Sequence, residues 1–137
     1  MSLQKLQDEI CRGWPDLTAT DLSLKIIEFM APLDEQELRM LTIPTLLRAS
    51  GRDRIDRDFL TALAILAGSS VHVLDARAIL TDESEEEFDL DGEELATARR
   101  EGSLPHPESG KLIDDFEAKI IPYFQSSDRF LKVRMDD

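Results

Sequence analysis

Val71-His72-Val73-Leu74-Asp75-Ala76-Arg77-Ala78-Ile79-Leu80 is the stretch in which the hydrophobic period of this chain changes. Before Gly68, apolar residues recur three and four apart. Here Val71 and Val73, then Leu74, Ala76, Ala78 and Leu80, fall on alternate positions with one phase shift between them. Period two with β-branched residues at its start predicts a strand, although a helical turn through Asp75-Ala76-Arg77-Ala78 fits the same residues. Phe88-Asp89-Leu90 predicts a short returning strand. The thirteen positions from Asp82 to Glu94 carry nine carboxylates and no basic residue, so the connection is expected to be a solvated, flexible loop. A hairpin set among helices makes the expected class mainly α with a small β-hairpin.

Upstream the pattern is helical. Leu3, Leu6, Ile10 and Trp14 share one face of a short helix ended by Gly13 and Pro15. Leu22–Met30 predicts a central helix, apolar on most sides and stopped by Pro32. Asp34 reads as an N-cap with Glu35 and Glu37 in the first turn. Pro44, which lacks an N–H, reads as the first-turn proline of a helix Pro44–Ala49 closed by Ser50-Gly51. Ile55–Ala67 forms the next helix.

Downstream, Asp91-Gly92 breaks into a helix Glu93–Glu101, and Leu104-Pro105-His106-Pro107 is an extended connector. Leu112, Phe116 and Ile120 at i, i+4 spacing predict a last helix from about Ser109 to Ile121. The tail docks through Phe130, Leu131 and Val133 and frays at Met135-Asp136-Asp137. A single domain over residues 1–137 is expected: N-terminal helices at 1–32, a middle at 33–101, and a connector with C-terminal helix at 102–137.

The order of short helix, Gly51-Arg52-Asp53-Arg54 turn, second helix, strand, acidic loop and short strand resembles a winged helix-turn-helix domain over residues 33–101. Phe88-Asp89-Leu90-Asp91-Gly92-Glu93-Glu94-Leu95-Ala96 is similar to the strand-to-helix exit after the wing in bacterial members. The resemblance rests on element order, with no diagnostic motif. It implies a winged-helix-like core with added terminal helices, and DNA binding through the second helix and the wing. Phe59-Leu60-Thr61-Ala62-Leu63-Ala64-Ile65-Leu66-Ala67 departs from that function, because a recognition helix offers polar and basic side chains to base edges. Glu85-Glu86-Glu87 departs from it in the wing.

Composition points the same way. With 16 basic and 29 acidic residues the formal net charge is −13, which repels nucleic acid and anionic membrane and attracts basic surfaces. Removing the nine acids of the run leaves −4 for the remainder. The excess is therefore local, which disfavours an acidic decoy of a nucleic-acid-binding protein. One cysteine, Cys11, excludes an internal disulfide, builds no zinc site alone, and reads as a small core residue. No apolar run reaches the ~18 residues of a membrane span. The N-terminus lacks the pattern of a signal peptide, so the expected address is cytoplasmic.

Arg48, Arg52, Arg54 and Arg57 are the candidates for nucleic-acid contact. Asp53, Asp56 and Asp58 interleave with them, leaving +1 over Arg48–Asp58 and offering ion pairs as the alternative reading. EF-hand spacing fails. With Gly92 as the loop glycine, Glu87, Asp89 and Asp91 occupy ligand positions, but the required twelfth-position glutamate is Ala98. His72, expected in the strand, and His106, between prolines, have no cysteine, serine or second histidine at catalytic or metal spacing. For His106 a through-space pairing with Asp114 or Asp115 is the alternative. No catalytic or metal residue and no cofactor is expected.

The expected function is a non-enzymatic acidic adaptor or accessory subunit. Asp82, Glu83, Glu85, Glu86, Glu87, Asp89 and Asp91 would meet a basic protein surface. The number of apolar helices favours a homodimer or a subunit of a hetero-complex. The alternatives are a dimeric winged-helix regulator using Arg48–Arg57 on DNA and, behind it, the decoy.

Overall fold

The computed structural model describes residues 1–136. Elements follow in the order α1 (Leu3–Gly13), α2 (Thr18–Met30), α3 (Ile43–Ala49), α4 (Arg57–Ala67), β1 (Leu74–Thr81), β2 (Glu87–Leu90), α5 (Gly92–Glu101), β3 (Leu104–Pro105), β4 (Leu112–Ile113), β5 (Ile120–Ser126) and α6 (Asp128–Met135). Short 3-10 turns lie at Glu37–Arg39 and Phe116–Lys119. About 49% of the chain is helical and 18% strand. The description as helices with an antiparallel hairpin holds, with more strand than the hairpin alone. Among the described residues no helix is long and apolar enough to cross a membrane.

The chain divides into two compact units: Met1–Asp75 with the segment from Gln125 onward, and Ala76–Phe124. In the first, α2 and α4 pack together through Ile26, Ile27, Phe59, Ala62 and Leu66, all buried. Each of these side chains except the single methyl of Ala62 contributes about 1.5–3 kcal/mol by leaving water. Ser23 is buried among them and satisfied, its Oγ donating to Ala19 O at 2.9 Å. Local chemistry starts every helix but α2, whose N-cap position is Leu17. Ser2 Oγ accepts from Lys5 N, Thr42 Oγ1 from Thr45 N, Asp56 Oδ1 from Phe59 N and Ser127 Oγ from Phe130 N, caps worth about 1 kcal/mol apiece.

Pro44 lies in the first turn of α3, where its missing N–H costs nothing. The tail docks as expected and is helical. Phe130 and Val133 are buried in α6, and Arg134 Nη1 donates to Ala31 O at 3.3 Å and to Leu33 O. Ala31 is the C-cap of α2, and a cation there also meets the negative end of the helix dipole. Asp137 lies outside the described residues.

The second unit holds the hairpin. β1 and β2 pair antiparallel with Ala78 opposite Leu90, Ile79 opposite Asp89, Leu80 opposite Phe88 and Thr81 opposite Glu87. The sheet order is β2-β1-β5. Its inner face presents Ala78, Leu80, Leu90 and Ile120 to Leu95, Ala98, Leu104 and Phe116. β3 pairs with β4 as a separate two-stranded ladder.

Four expectations are corrected. Residues 109–121 do not form a helix: β4, a 3-10 turn and β5 occupy the segment. Gly110 and Asp115 adopt left-handed φ of +74° and +56°, which no helix accommodates. The β-branched and aromatic run Ile120, Ile121, Tyr123, Phe124 favours a strand, and Pro122 fits an edge strand because it has no N–H to lose. The i, i+4 spacing was fortuitous, since Leu112 is 67% exposed while Phe116 and Ile120 are buried. The strand expected from Val71 starts at Leu74, and His72 sits before it at φ +46°. The phase shift in the apolar pattern is this turn. Cys11 is exposed, because α1 buries the face of Leu6 and Ile10. The acidic segment between the strands, finally, is a closed turn.

Candidate functional site

The turn from Asp82 to Glu86 is built by one side chain. Asp82 Oδ1 accepts from Ser84 N at 2.9 Å and Glu86 N at 3.0 Å, while Asp82 N donates to Glu86 O and Glu85 N to Asp82 O. Glu85 takes the left-handed position, φ +63°. An aspartate that accepts from amides two and four residues ahead closes a loop that sequence charge alone would leave open. Its second oxygen, Oδ2, lies 3.0 Å from His106 Nε2, and both side chains are only 15% exposed.

The ring state of His106 follows from its other nitrogen. Nδ1 accepts from Glu108 N at 3.1 Å and Ser109 N at 3.3 Å, so the proton sits on Nε2 and is donated to Asp82. Pro105 and Pro107 fix the backbone on either side of the ring, and Phe88 meets it edge-on with centroids 4.9 Å apart. With both nitrogens engaged, the ring has no free lone pair for a general base. The Asp82 carboxyl is held below the ordinary aspartate value. The cause is first the His106 hydrogen bond, acting against desolvation, and then the Glu86 and Ser84 amides. An open cleft of about 430 Å³ beside the pair is lined by Thr81, Glu83, Lys111, Ile113, Asp114 and Lys119, among others.

The rest of the acidic run divides by role. Tyr123 Oη donates to Asp89 Oδ1 at 2.6 Å and accepts from Arg77 Nε at 3.2 Å, a polar strap across all three strands. The Tyr123 phenol is raised, first by burial and then by the Asp89 hydrogen bond. For Arg77 burial acts downward. The Tyr123 hydrogen bond, with the charges of Tyr123, Asp89 and Asp91, outweighs it and raises the guanidinium. Asp91 and Glu94 form a reciprocal capping box at the start of α5. Glu83, Glu85, Glu86, Glu87 and Glu93 are exposed, and their carboxylates have no ion-pair partner among the described residues.

So Asp82, Asp89 and Asp91 serve internal hydrogen bonds, while Glu83 and Glu85–Glu87 form one outward-facing negative turn. Among the described residues, no three histidine, cysteine or carboxylate side chains converge to hold a metal ion.

The arginine cluster is split. Arg52 is held by Asp56 at 3.2 Å and Asp58 at 3.3 Å. Arg48, Arg54 and Arg57 are exposed without a carboxylate within ion-pair distance among the described residues. His72 pairs with Asp75 at 2.6 Å. Sequence reasoning missed the Asp82–His106 and Arg77–Tyr123–Asp89 links, because their partners lie 24 to 46 residues apart. The prolines flanking His106 were the available signal that its ring is held in place.

No protein-family model matches the chain, and no curated protein or solved structure is significantly similar to it.

Proposed function

We propose that this protein is a non-enzymatic adaptor or accessory subunit whose acidic turn contacts a basic surface on a partner protein. One observation carries the reading: Glu83, Glu85, Glu86 and Glu87 project from a closed turn, and among the described residues none of their carboxylates has an ion-pair partner. Their field is left for something outside the chain. A turn fixed by Asp82 presents those charges with less ordering cost than a loose loop, which favours association. Exposed Ile55 and Leu60, at 54% and 55%, supply apolar area for a homodimer or for a seat on a larger complex.

The order α3, turn, α4, β1, β2, α5 supports a winged-helix-like relationship for residues 33–101. Within it α4 spends Phe59, Ala62, Leu63, Ile65 and Leu66 on burial and exposes Leu60 and Ala64, a poor surface for reading bases. Replacing Glu85, Glu86 and Glu87 together by serine is expected to preserve the fold and weaken the natural partner's binding in a salt-dependent way. Unchanged affinity of the co-purifying partner rejects the reading.

A second reading has its own observation, the exposed Arg48, Arg54 and Arg57, which have no carboxylate within ion-pair distance among the described residues. It makes the protein a dimeric winged-helix regulator touching phosphates. A gel shift below ~50 mM salt, where phosphate contacts are strongest, separates the two. No shift at micromolar protein removes the DNA reading.

A further inference from the structure

The hairpin register says more about the acidic turn than its charge does. Asp82 and Glu86 close the turn with a backbone hydrogen bond. In an antiparallel ladder, hydrogen-bonded and non-bonded pairs alternate from there. Leu80–Phe88 and Ala78–Leu90 are then the bonded pairs, and Thr81–Glu87 and Ile79–Asp89 the non-bonded ones. The N–H and C=O of Glu87 and Asp89 therefore point away from β1. Among the described residues no strand follows β2 in the sheet order β2-β1-β5, so these groups form an open edge. Both residues are exposed.

An open edge invites any extended chain, a second copy included. Its charge restricts what it admits. Two copies pairing antiparallel along β2 would set Glu87 and Asp89 of one against those of the other, and like charges directly opposite are destabilising. A strand with lysine or arginine opposite Glu87 would be attracted, while the Asp89 carboxylate is already engaged by Tyr123. Its alternate residues would fall on the face of Phe88, which packs against the core and is half-buried, so that an apolar side chain there would cover the part of the ring left exposed.

We propose that the β2 edge accepts, by strand addition, an extended segment of a partner protein that alternates basic and apolar residues. The inference rests on the reading of the acidic turn as a contact for a basic partner, and it adds main-chain hydrogen bonds at Glu87 and Asp89.

The test uses the full chain, ¹⁵N-labelled, titrated at low salt with an end-capped peptide alternating lysine and valine. A second peptide of the same sequence is N-methylated at the amides that would face β2. The first peptide is expected to shift the Glu87 and Asp89 amides and slow their exchange, and the methylated one to bind at least tenfold more weakly. Glu87→Pro removes an outward N–H without touching the β1 ladder, as proline does on edge strands. It is expected to lower affinity about tenfold, against about threefold for Glu87→Gln, which removes only the charge.

Equal binding of the two peptides, or equal loss in the two variants, overturns strand addition and leaves the acidic contact standing. No binding of the first peptide also overturns it, while the acidic-contact reading is judged separately by the triple-serine protein and its natural partner. If Glu87→Pro perturbs the fold, visible in the same spectra, the peptide pair decides alone.

Discussion

Two residues of the acidic turn make opposite contributions to its stability. Glu85 holds φ +63°, a conformation that costs a residue with a Cβ roughly 1 kcal/mol. Glu85→Gly is expected to stabilise the protein by about that amount, read as a higher urea midpoint; a lower one would mean that the glutamate side chain contributes something the turn needs. Asp82 works the other way. Its folded value lies below the unfolded one, so its stabilisation is complete above the ordinary aspartate value near 4 and disappears as pH falls through the folded value. Asp82→Asn removes that acid limb, and its urea midpoint is expected to fall less steeply than wild type between about pH 5 and 2. Parallel curves would assign the acid sensitivity elsewhere. Tyr123, with its raised phenol, predicts the mirror image: stability intact below the ordinary tyrosine value near 10 and lost as pH climbs through the folded one.

At the level of elements, α5 has an unusual first residue. Gly92→Ala in an exposed helix ordinarily gains about 0.5–1 kcal/mol. Here a Cβ on Gly92 would come within 3.0 Å of Ala76 O, a backbone atom held in the central strand of the sheet. The expected result is a loss of about 1 kcal/mol by chemical denaturation, and a gain would show that β1 can yield. Helices α1 to α5 were legible because their periodicity and, except in α2, their caps are local: Asp56 and Asp91 stand where their carboxylates cap. The hairpin was legible from Phe88 and Leu90 alternating against Ala78 and Leu80. Beyond Pro107 legibility failed. Leu112, Phe116 and Ile120 imitate a helical stripe, which the left-handed Gly110 and Asp115 and the strand-favouring run from Ile120 undo. The same limit hid the site, since neither the His106 hydrogen bond nor the Tyr123 strap follows from spacing.

Over the whole molecule, the net charge of −13 opposes compaction through self-repulsion. Raising sodium chloride from about 20 to 500 mM shortens the Debye length from roughly 20 to 4 Å and is expected to raise the melting temperature by a few degrees. The Glu85, Glu86, Glu87 triple-serine protein should gain less from added salt. An equal gain would place the repulsion outside the turn. One stitch carries a further implication. Ser127 N donates to Val73 O at 2.9 Å, and Ser127 Oγ to His72 O at 2.6 Å, fastening the chain where it returns to the place it left. The excursion from Ala76 to Phe124 is thus an interchangeable cassette with neighbouring ends. A foreign insert or a brief glycine-serine bridge spliced between those ends would impose little loop-closure penalty on the helical scaffold.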